Sequence, residues 1–418
     1  MIHTKTHVTA NTLIVKITKT CRLPILSLIG VGLILTAGLS RAVEMKLGAD
    51  LPPVDIHGFV SQGLLESNDY NYLGDSSRGS FKFTEAGLNA SINPFPRTRV
   101  SAQAFTFDVG PAGEYDVFLD YGLVEYTFGD YLGIRAGRIR RPEGIYNHIQ
   151  DVDLSRTWVL LPQGMYNARW RDAYASIDGG EFFGTIPLSQ AGSFSYETYA
   201  GVQRPKLNGG LALQKANLPP NWPLVWINAP TMYGVQFWWN TPIDGLRLGM
   251  APNKVHDLSF NTTVRPGFIR NSVGSPTVDK YSIEYLVKSW TFQTEYYHVT
   301  VDYLNTGGGL PTTTKHVEPD CWYFGTAYRF NKWFELGGYY TEYYADVHDR
   351  KGATLPVRAD GYQKDTALSL RFDLNDSWIF KIEGHRMRGV AQLLDNVNNP
   401  VRNGNDWLMF AAKATFCF

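Results

Sequence analysis

A short stretch of the chain, from Arg135 to Arg171, is rich in side chains that bind anions. Its arginines outnumber its acidic residues by four. The arginines are Arg135, Arg138, Arg140, Arg141, Arg156, Arg169 and Arg171, and the acids are Glu143, Asp151 and Asp153. A guanidinium group can hold a phosphate or carboxylate group through two parallel hydrogen bonds. In a narrow passage of low dielectric constant, this excess of positive charge would favour small anions.

A structural role for the same arginines is an equal alternative. They can pair with Asp151, Asp153 and Asp172, and such pairs would fix the segment without binding a solute. Asp151-Val152-Asp153 also offers two carboxylates to a cation, although an ordinary loop is the more common context for such a sequence.

Other catalytic or ligand-binding patterns are missing from the sequence. It has no Gly-x-Ser-x-Gly motif and no Cys/His spacing of the zinc type. His148, His298 and His385 are scattered along the chain, and we expect them to be hydrogen-bonded. We therefore predict a protein that is not an enzyme, without catalytic residues, cofactor or metal.

The elements that must position these residues have the period of β-strands. From Val54 onwards, apolar and polar residues alternate in runs of roughly ten residues, and helix signals are rare. The sixteen predicted strands are 54–65, 80–92, 98–108, 117–128, 131–140, 171–183, 193–203, 232–241, 246–252, 277–287, 290–302, 320–330, 333–346, 362–374, 377–388 and 406–418. The ninth is the least regular, because Pro252 cuts it short.

Short and long connections alternate between these strands. Gly129-Asp130 and Asn331-Lys332 are typical of the short ones, and residues 141–170 form one of the long ones. Tight turns on one side and long loops on the other are typical of an up-and-down barrel in an outer membrane, with the turns in the periplasm. The sequence therefore predicts an all-β protein: a 16-stranded antiparallel transmembrane β-barrel forming a single domain over residues 43–418.

The two faces of the predicted strands differ as this fold requires. In the last strand Leu408 and Phe410 lie on an apolar face, and Lys413 lies on the opposite face with Thr415. An apolar outer face and a charged inner face indicate a water-filled interior. A soluble sheet with one wet face is the alternative, but it explains neither the loop alternation nor the export signal described next.

The N-terminus reads as a signal peptide, residues 1–42. Basic residues precede an apolar run from Leu23 to Leu39, and Ser40-Arg41-Ala42 supplies small residues for cleavage. An uncleaved anchor is the rival interpretation. Because residues 1–42 contain five basic residues and no acid, the neutral precursor becomes a mature chain with a net charge of −5.

The composition excludes several classes of protein. Balanced charge argues against a nucleic-acid binder. A mean hydropathy of −0.21 argues against a helical membrane protein. Aromatic residues make up 14% of the chain, which is too many for a disordered one. Cys321 and Cys417 should lie at opposite ends of the barrel, so we expect no disulfide between them.

The chain ends in Phe418 on an alternating aromatic strand, which looks like the C-terminal signature of outer-membrane barrels. The whole predicted mature chain resembles the sixteen-stranded porins. More narrowly, Arg135-Ala136-Gly137-Arg138-Ile139-Arg140-Arg141-Pro142-Glu143-Gly144-Ile145-Tyr146-Asn147 and Leu161-Pro162-Gln163-Gly164-Met165-Tyr166 resemble segments of the phosphate-selective porin O and P type and related trimeric porins.

The porin resemblance implies a function and a set of partners. The chain would form an outer-membrane channel for passive diffusion of small hydrophilic solutes, with anions such as phosphate or small carboxylates as candidates. Residues 141–170 would fold into the lumen as a constriction loop. The resulting pore-lining set is Arg135, Arg138, Arg140, Arg141, Glu143, Asp151, Asp153 and Arg156. The partners would be outer-membrane lipid and lipopolysaccharide, and Arg169 and Arg171 at the outer rim could contact lipopolysaccharide phosphates.

Two other functions stay open beside the porin. A barrel enzyme of the lipase or esterase type would need a Ser/His pair at the membrane edge. A plugged receptor would need a larger barrel and a folded N-terminal domain.

Two further features of the strands yield expectations. Small outward residues in the second, third and last strands predict a contact between barrels, because they let barrels approach closely. They are Ala86, Leu88, Ala90, Ile92, Val100, Ala102, Ala104, Ala412 and Ala414. The porin resemblance implies that three copies assemble, as a homotrimer.

In the fifth strand, strict alternation turns Arg138 and Arg140 towards lipid, which costs roughly 2–4 kcal/mol each at mid-depth. We predict a bulge at Ala136-Gly137 that returns both to the lumen. The alternative leaves Arg138 at the trimer contact, paired with an acid of a neighbouring strand.

Overall fold

The computed structural model describes residues 43–45, 52–217, 222–393, 399 and 406–418, and the predicted signal peptide lies outside the described residues. The strands in chain order are β1 (Val43–Met45), β2 (Val54–Ser67), β3 (Phe83–Phe95), β4 (Thr98–Val109), β5 (Phe118–Gly129), β6 (Leu132–Arg140), β7 (Ser176–Pro187), β8 (Ser193–Val202), β9 (Leu224–Ile227), β10 (Thr231–Asn240), β11 (Leu246–Met250), β12 (Asn253–His256), β13 (Leu258–Arg265), β14 (Phe268–Gly274), β15 (Thr277–Val287), β16 (Trp290–Gly307), β17 (Thr313–Val317), β18 (Asp320–Arg329), β19 (Phe334–Tyr344), β20 (Tyr362–Asp373), β21 (Trp378–Gly389) and β22 (Asp406–Cys417). The helices are α1 (Arg171–Tyr174) and α2 (Gly210–Asn217). Among the described residues, neither these nor the short 3-10 turns are long and apolar enough to cross a membrane as a helix.

Sixteen antiparallel spans form a closed barrel, as predicted. The spans are β2 to β8, β10, β11 with β12, β15, β16, and β18 to β22. Pairing of β2 with β22, from Phe59 opposite Cys417 to Ser67 opposite Met409, closes the cylinder. The ninth span is interrupted between β11 and β12, where Pro252 cannot donate a hydrogen bond to the ladder. β7 begins at Ser176 rather than at the predicted residue 171, because α1 occupies the preceding residues.

Part of the long connections is folded into a second sheet, which the sequence analysis missed. β9, β13, β14 and β17 join the far end of β16, and this strand runs to Gly307 instead of ending at residue 302. Gly267, with a φ of 79°, makes the tight turn between β13 and β14. Part of the connections predicted only as long loops therefore forms β-structure that continues from β16.

The strand faces follow the predicted alternation. In β22 Trp407, Met409 and Lys413 are buried, whereas Leu408 is 56% exposed and Phe410 is 40% exposed. The interior face therefore carries the polar and charged groups together with packed aromatic rings, and the outer face is apolar, as in a barrel that contacts lipid.

The predicted bulge in β6 is wrong. β6 pairs with β5 and β7 without a register shift through Gly137, which lies opposite Leu123 on one side and Gly179 on the other. A Cβ on Gly137 would lie 2.3 Å from the carbonyl oxygen of Gly122, so glycine is needed there for close strand approach. The extra residue is in β5 instead, where Gln103 pairs with Tyr121 but Ala104 pairs with Leu119.

Cys321 and Cys417, the two cysteines in the described part of the chain, are free thiols. Cys321 lies at the outer end of β18, whereas Cys417 is the last residue of β22, next to a short turn. The two therefore lie at opposite ends of the barrel wall, as the strand order predicts.

Candidate functional site

The connection from β6 to β7, residues 141–175, is called the inner loop here, because it contacts side chains on the interior face of distant strands. The backbone N–H of Ile145 donates to Glu295 of β16 at 2.9 Å. The N–H groups of Val159 and Leu160 each donate at 2.9 Å to Glu383 of β21. Buried backbone donors need such partners, and here the barrel wall supplies them.

Apolar side chains of the inner loop fill the space between these anchors. Trp158, Leu161 and Met165 belong to one buried cluster with Tyr323 and Tyr339 of the wall. The rings of Trp158 and Tyr339 meet edge to face, with centroids 5.7 Å apart. The loop is therefore packed like a protein core rather than suspended in water.

A buried ion cluster ties the inner loop to the last two strands. The carboxylate of Asp153 lies 3.0 Å from the ammonium of Lys413, 3.5 Å from that of Lys381 and 3.1 Å from Arg156. Lys413 also binds Glu85 of β3 at 2.6 Å. Burial raises the pKa of Asp153, but the positive charges of Lys381, Lys413 and Arg156 outweigh it and hold this pKa below its usual value.

A second cluster joins the inner loop to β4, β5 and β6. Arg140 binds Asp151 at 2.8 Å and also Asp120, and Arg171 lies 3.0 Å from Asp120. Gln103 donates to both carboxylates, at 3.0 Å to Asp120 and 2.6 Å to Asp151. Burial opposes ionisation of Asp151, yet the charges of Arg140 and Arg171 lower its pKa.

A third cluster lies where the inner loop begins. Glu143 pairs with Arg141 and, at 2.9 Å, with Lys280 of β15. Burial raises the pKa of Glu143, but the charges of Arg141 and Lys280 dominate and lower it. All three carboxylates of the predicted site, those of Glu143, Asp151 and Asp153, thus form ion pairs with basic side chains.

Asp172 departs from the expected pairing. No ion pair joins it to an arginine among the described residues, and burial raises its pKa to about 6.

Arg169 and Arg171 are buried, and Arg169 donates to the carbonyl oxygen of Gln392 at 2.8 Å. Both guanidinium groups are thus withdrawn from the surface, which argues against the expected contact with lipopolysaccharide phosphates.

Arg135 and Arg138 lie on opposite faces of β6. Arg135 binds Glu125 at 2.6 Å and Glu181 at 2.7 Å, and Glu181 is on the buried face of β7. Arg138 binds Asp178 at 2.9 Å. Asp178 is three residues from Glu181 in β7 and therefore lies on the opposite face of that strand. Arg138 thus has the neighbouring-strand acid of the alternative interpretation.

Four partly exposed arginines on the interior face of the barrel lie close to short connections. They are Arg99 of β4, Arg135 of β6, Arg247 of β11 and Arg329 of β18, and we call them the arginine wall. Each is paired with an acid that is more deeply buried. The Arg99 side chain is 46% exposed against 15% for Glu125, and Arg329 is 34% exposed against 12% for Glu335.

The sequence analysis missed Arg99, Arg247 and Arg329. The alternation of side chains along each strand could have identified them. Arg99, for example, lies on the same face of its strand as Ser101 and Gln103, which are buried on the inner face. Concentrating on one arginine-rich stretch hid cations that are distributed over several strands. In the ion pairs of the arginine wall, the arginine side chain is more exposed than the carboxylate it binds, except that Glu197 is as exposed as Arg135.

Comparisons with known proteins agree with this architecture. The sequence matches no protein-family model and no curated protein. Among solved structures, OmpT of Vibrio cholerae aligns over 90% of this chain and 100% of its own, with a TM-score of 0.56 and 10% identity. The anion-selective porin of Comamonas acidovorans aligns over 87% of this chain and 99% of its own, with a TM-score of 0.53 and 10% identity.

A third structure is the outer membrane channel DcaP of Acinetobacter baumannii, with a TM-score of 0.53 and 9% identity over 90% of this chain and 100% of its own. At such identities the likeness concerns the fold. The closed sixteen-stranded barrel, its inner loop and these structural matches establish that the chain has a porin-type fold.

Proposed function

We propose that this protein is an outer-membrane porin through which small hydrophilic solutes diffuse passively. The observation that carries the proposal is the arginine wall, because it places exposed charged groups on the interior face of a barrel whose outer face is apolar. Sixteen strands leave room for an aqueous channel. The inner loop would narrow that channel, with residues 141–170 as its constriction.

A preference for anions such as phosphate or small carboxylates follows from the same wall. Arg140, Arg141 and Arg156 are paired in buried clusters, which supports a structural role for them. Arg99 and Arg247 are more exposed than the acids they bind, so an ion in the lumen would meet positive charge first at these two residues. Arg138 faces away from this surface and would not act on the solute.

A homotrimer in the outer membrane completes the proposal, with the N-terminal 42 residues as its export signal. Ala102 and Ala104 of β4 are exposed, and Ala86 and Ala90 of β3 are partly exposed. This small, outward surface would admit a second barrel closely. Lipid and lipopolysaccharide would cover the remaining apolar outer face.

Single-channel recording in a planar bilayer tests the function. We expect stepwise increases in conductance. Across a salt gradient, we expect a reversal potential of the sign that a channel more permeable to anions gives. A protein that inserts but never conducts would refute the channel. Hydrolysis of a simple ester, blocked by a serine-directed probe, would favour the enzyme alternative instead.

A further inference from the structure

Three histidines meet around one glutamate on the far side of the barrel from the short turns. The Nε2 atom of His298 lies 3.0 Å from Glu318, that of His316 lies 3.0 Å from it, and that of His348 lies 2.8 Å from it. His316 and His348 approach the same carboxylate oxygen of Glu318, and His298 approaches the other. Three imidazole nitrogens therefore converge on one small volume.

The four residues come from three separate parts of the chain. His298 is in β16, His316 is in β17, Glu318 lies between β17 and β18, and His348 follows β19. Their spacing matches no linear metal-binding motif, which is why the sequence suggested only scattered histidines. The antiparallel pairing of β16 with both β17 and β18 brings His298, His316 and Glu318 together. His348 joins them because the backbone N–H of Val347 donates to the carbonyl oxygen of Glu318 at 2.9 Å.

A fifth residue orients one of these rings. The Nδ1 atom of His316 lies 2.9 Å from the carboxylate of Asp302, while its Nε2 atom points towards Glu318. In metal sites a carboxylate commonly holds the outer nitrogen of a ligating histidine, because this fixes the ring and makes the other nitrogen a better ligand. Asp302 is therefore placed as a support for a ligand rather than as a ligand.

We propose that His298, His316, His348 and Glu318 bind a divalent transition-metal ion of the zinc type. Three imidazole nitrogens and one carboxylate oxygen are a ligand set that zinc accepts in tetrahedral geometry. In the present arrangement the Glu318 carboxylate itself occupies the space between the rings, and no three such side chains of the described residues already surround a vacant metal position. The ion would enter as Glu318 turns aside to become the fourth ligand.

Two of the histidine rings are free to adjust to a bound ion. The His348 side chain is 73% exposed and that of His316 is 48% exposed, so both rings can shift without disturbing a packed core. An ion held here would cross-link β16, the β17–β18 connection and the β19–β20 connection. It would thereby fasten the second sheet to the rest of the outer loops.

Titration calorimetry of the folded protein in detergent with Zn²⁺ tests the proposal. We expect one ion per chain for the unaltered protein and for a His256→Ala control, whose histidine is exposed elsewhere. The His316→Ala/His348→Ala variant should lose this stoichiometric binding. Asp302→Asn should keep the site but weaken it about 10-fold to 100-fold, the usual effect of removing such a support.

Two results would overturn the proposal. One is stoichiometric Zn²⁺ binding that survives unchanged in the double variant, which would place the ion elsewhere. The other is an absence of stoichiometric binding to the unaltered protein, which would leave a hydrogen-bonded histidine cluster only. All variants carry exposed substitutions, and retention of the barrel is checked by circular dichroism before titration.

Discussion

The carboxylate of Asp153, at the middle of the inner loop, lies 3.0 Å from the ammonium of Lys413 in the last strand of the barrel. Lys381 of the neighbouring strand donates to the backbone carbonyl oxygen of the same Asp153 at 2.8 Å. One loop residue thus contacts two buried lysines of the barrel wall, of which Lys413 is also paired with Glu85. The position of the loop and the stability of the wall depend on the same contact.

Replacing Asp153 should therefore weaken both. In Asp153→Asn, Lys381 and Lys413 lose their common counter-charge, and breaking a buried ion pair in this way costs about 3–5 kcal/mol. We expect a lower free energy of unfolding in urea and, because the loop is released, a larger single-channel conductance. Asp244→Asn, in an exposed short turn, is the matched control and should change neither quantity.

The arginine wall should determine ion preference. Substituting Arg99, Arg247 and Arg329 together by alanine should shift the reversal potential in a salt gradient towards the value expected of a cation-selective channel. Arg138→Ala removes one positive charge from the opposite face and should leave the reversal potential unchanged. The difference should shrink at 1 M salt, where the Debye length is about 3 Å. If Arg138→Ala has the larger effect, the face assignment is wrong.

Asp172 should make the protein less stable as the pH rises. Burial raises its pKa from 3.8 to about 6 in the folded state, so between these values the unfolded chain loses its proton while the folded chain keeps it. The resulting destabilisation is absent below pH 3.8, complete above pH 6, and on the order of 2–3 kcal/mol.

Asp172→Asn should remove that penalty. We expect the variant to unfold at higher urea concentration than the unaltered protein at pH 7, and the two to be similar near pH 3.5. Equal unfolding midpoints at pH 7 would show that the Asp172 carboxyl ionises normally in the folded state.

The small outward surface of β4 should support the trimer. Ala102→Phe enlarges a side chain at the proposed contact and should shift chemically crosslinked protein from trimer to monomer. Leu368→Phe, at an exposed position of β20 in another part of the barrel wall, should leave the trimer intact. Trimers that survive Ala102→Phe but not Leu368→Phe would move the contact to the other side of the barrel.

The amino-acid sequence by itself determined the barrel. Strand period, the alternation of short and long connections, and the interruption at Pro252 are properties of neighbouring residues. They can be read without knowing which strands meet. Even the inward phase of Lys413 follows from the apolar residues on either side of it, because successive side chains of a strand point to opposite faces.

Only the tertiary structure decided which charged groups meet. The phase of β6 turns Arg138 away from Arg135, and the sequence suggested a bulge to avoid that cost; the structure instead supplies Asp178 from the adjoining strand as a partner. Likewise, nothing local links Asp153 to Lys413 or His298 to His348. Pair energies depend on distances of a few ångströms between residues far apart in the chain, and those distances exist only once the barrel has closed and the loops have folded.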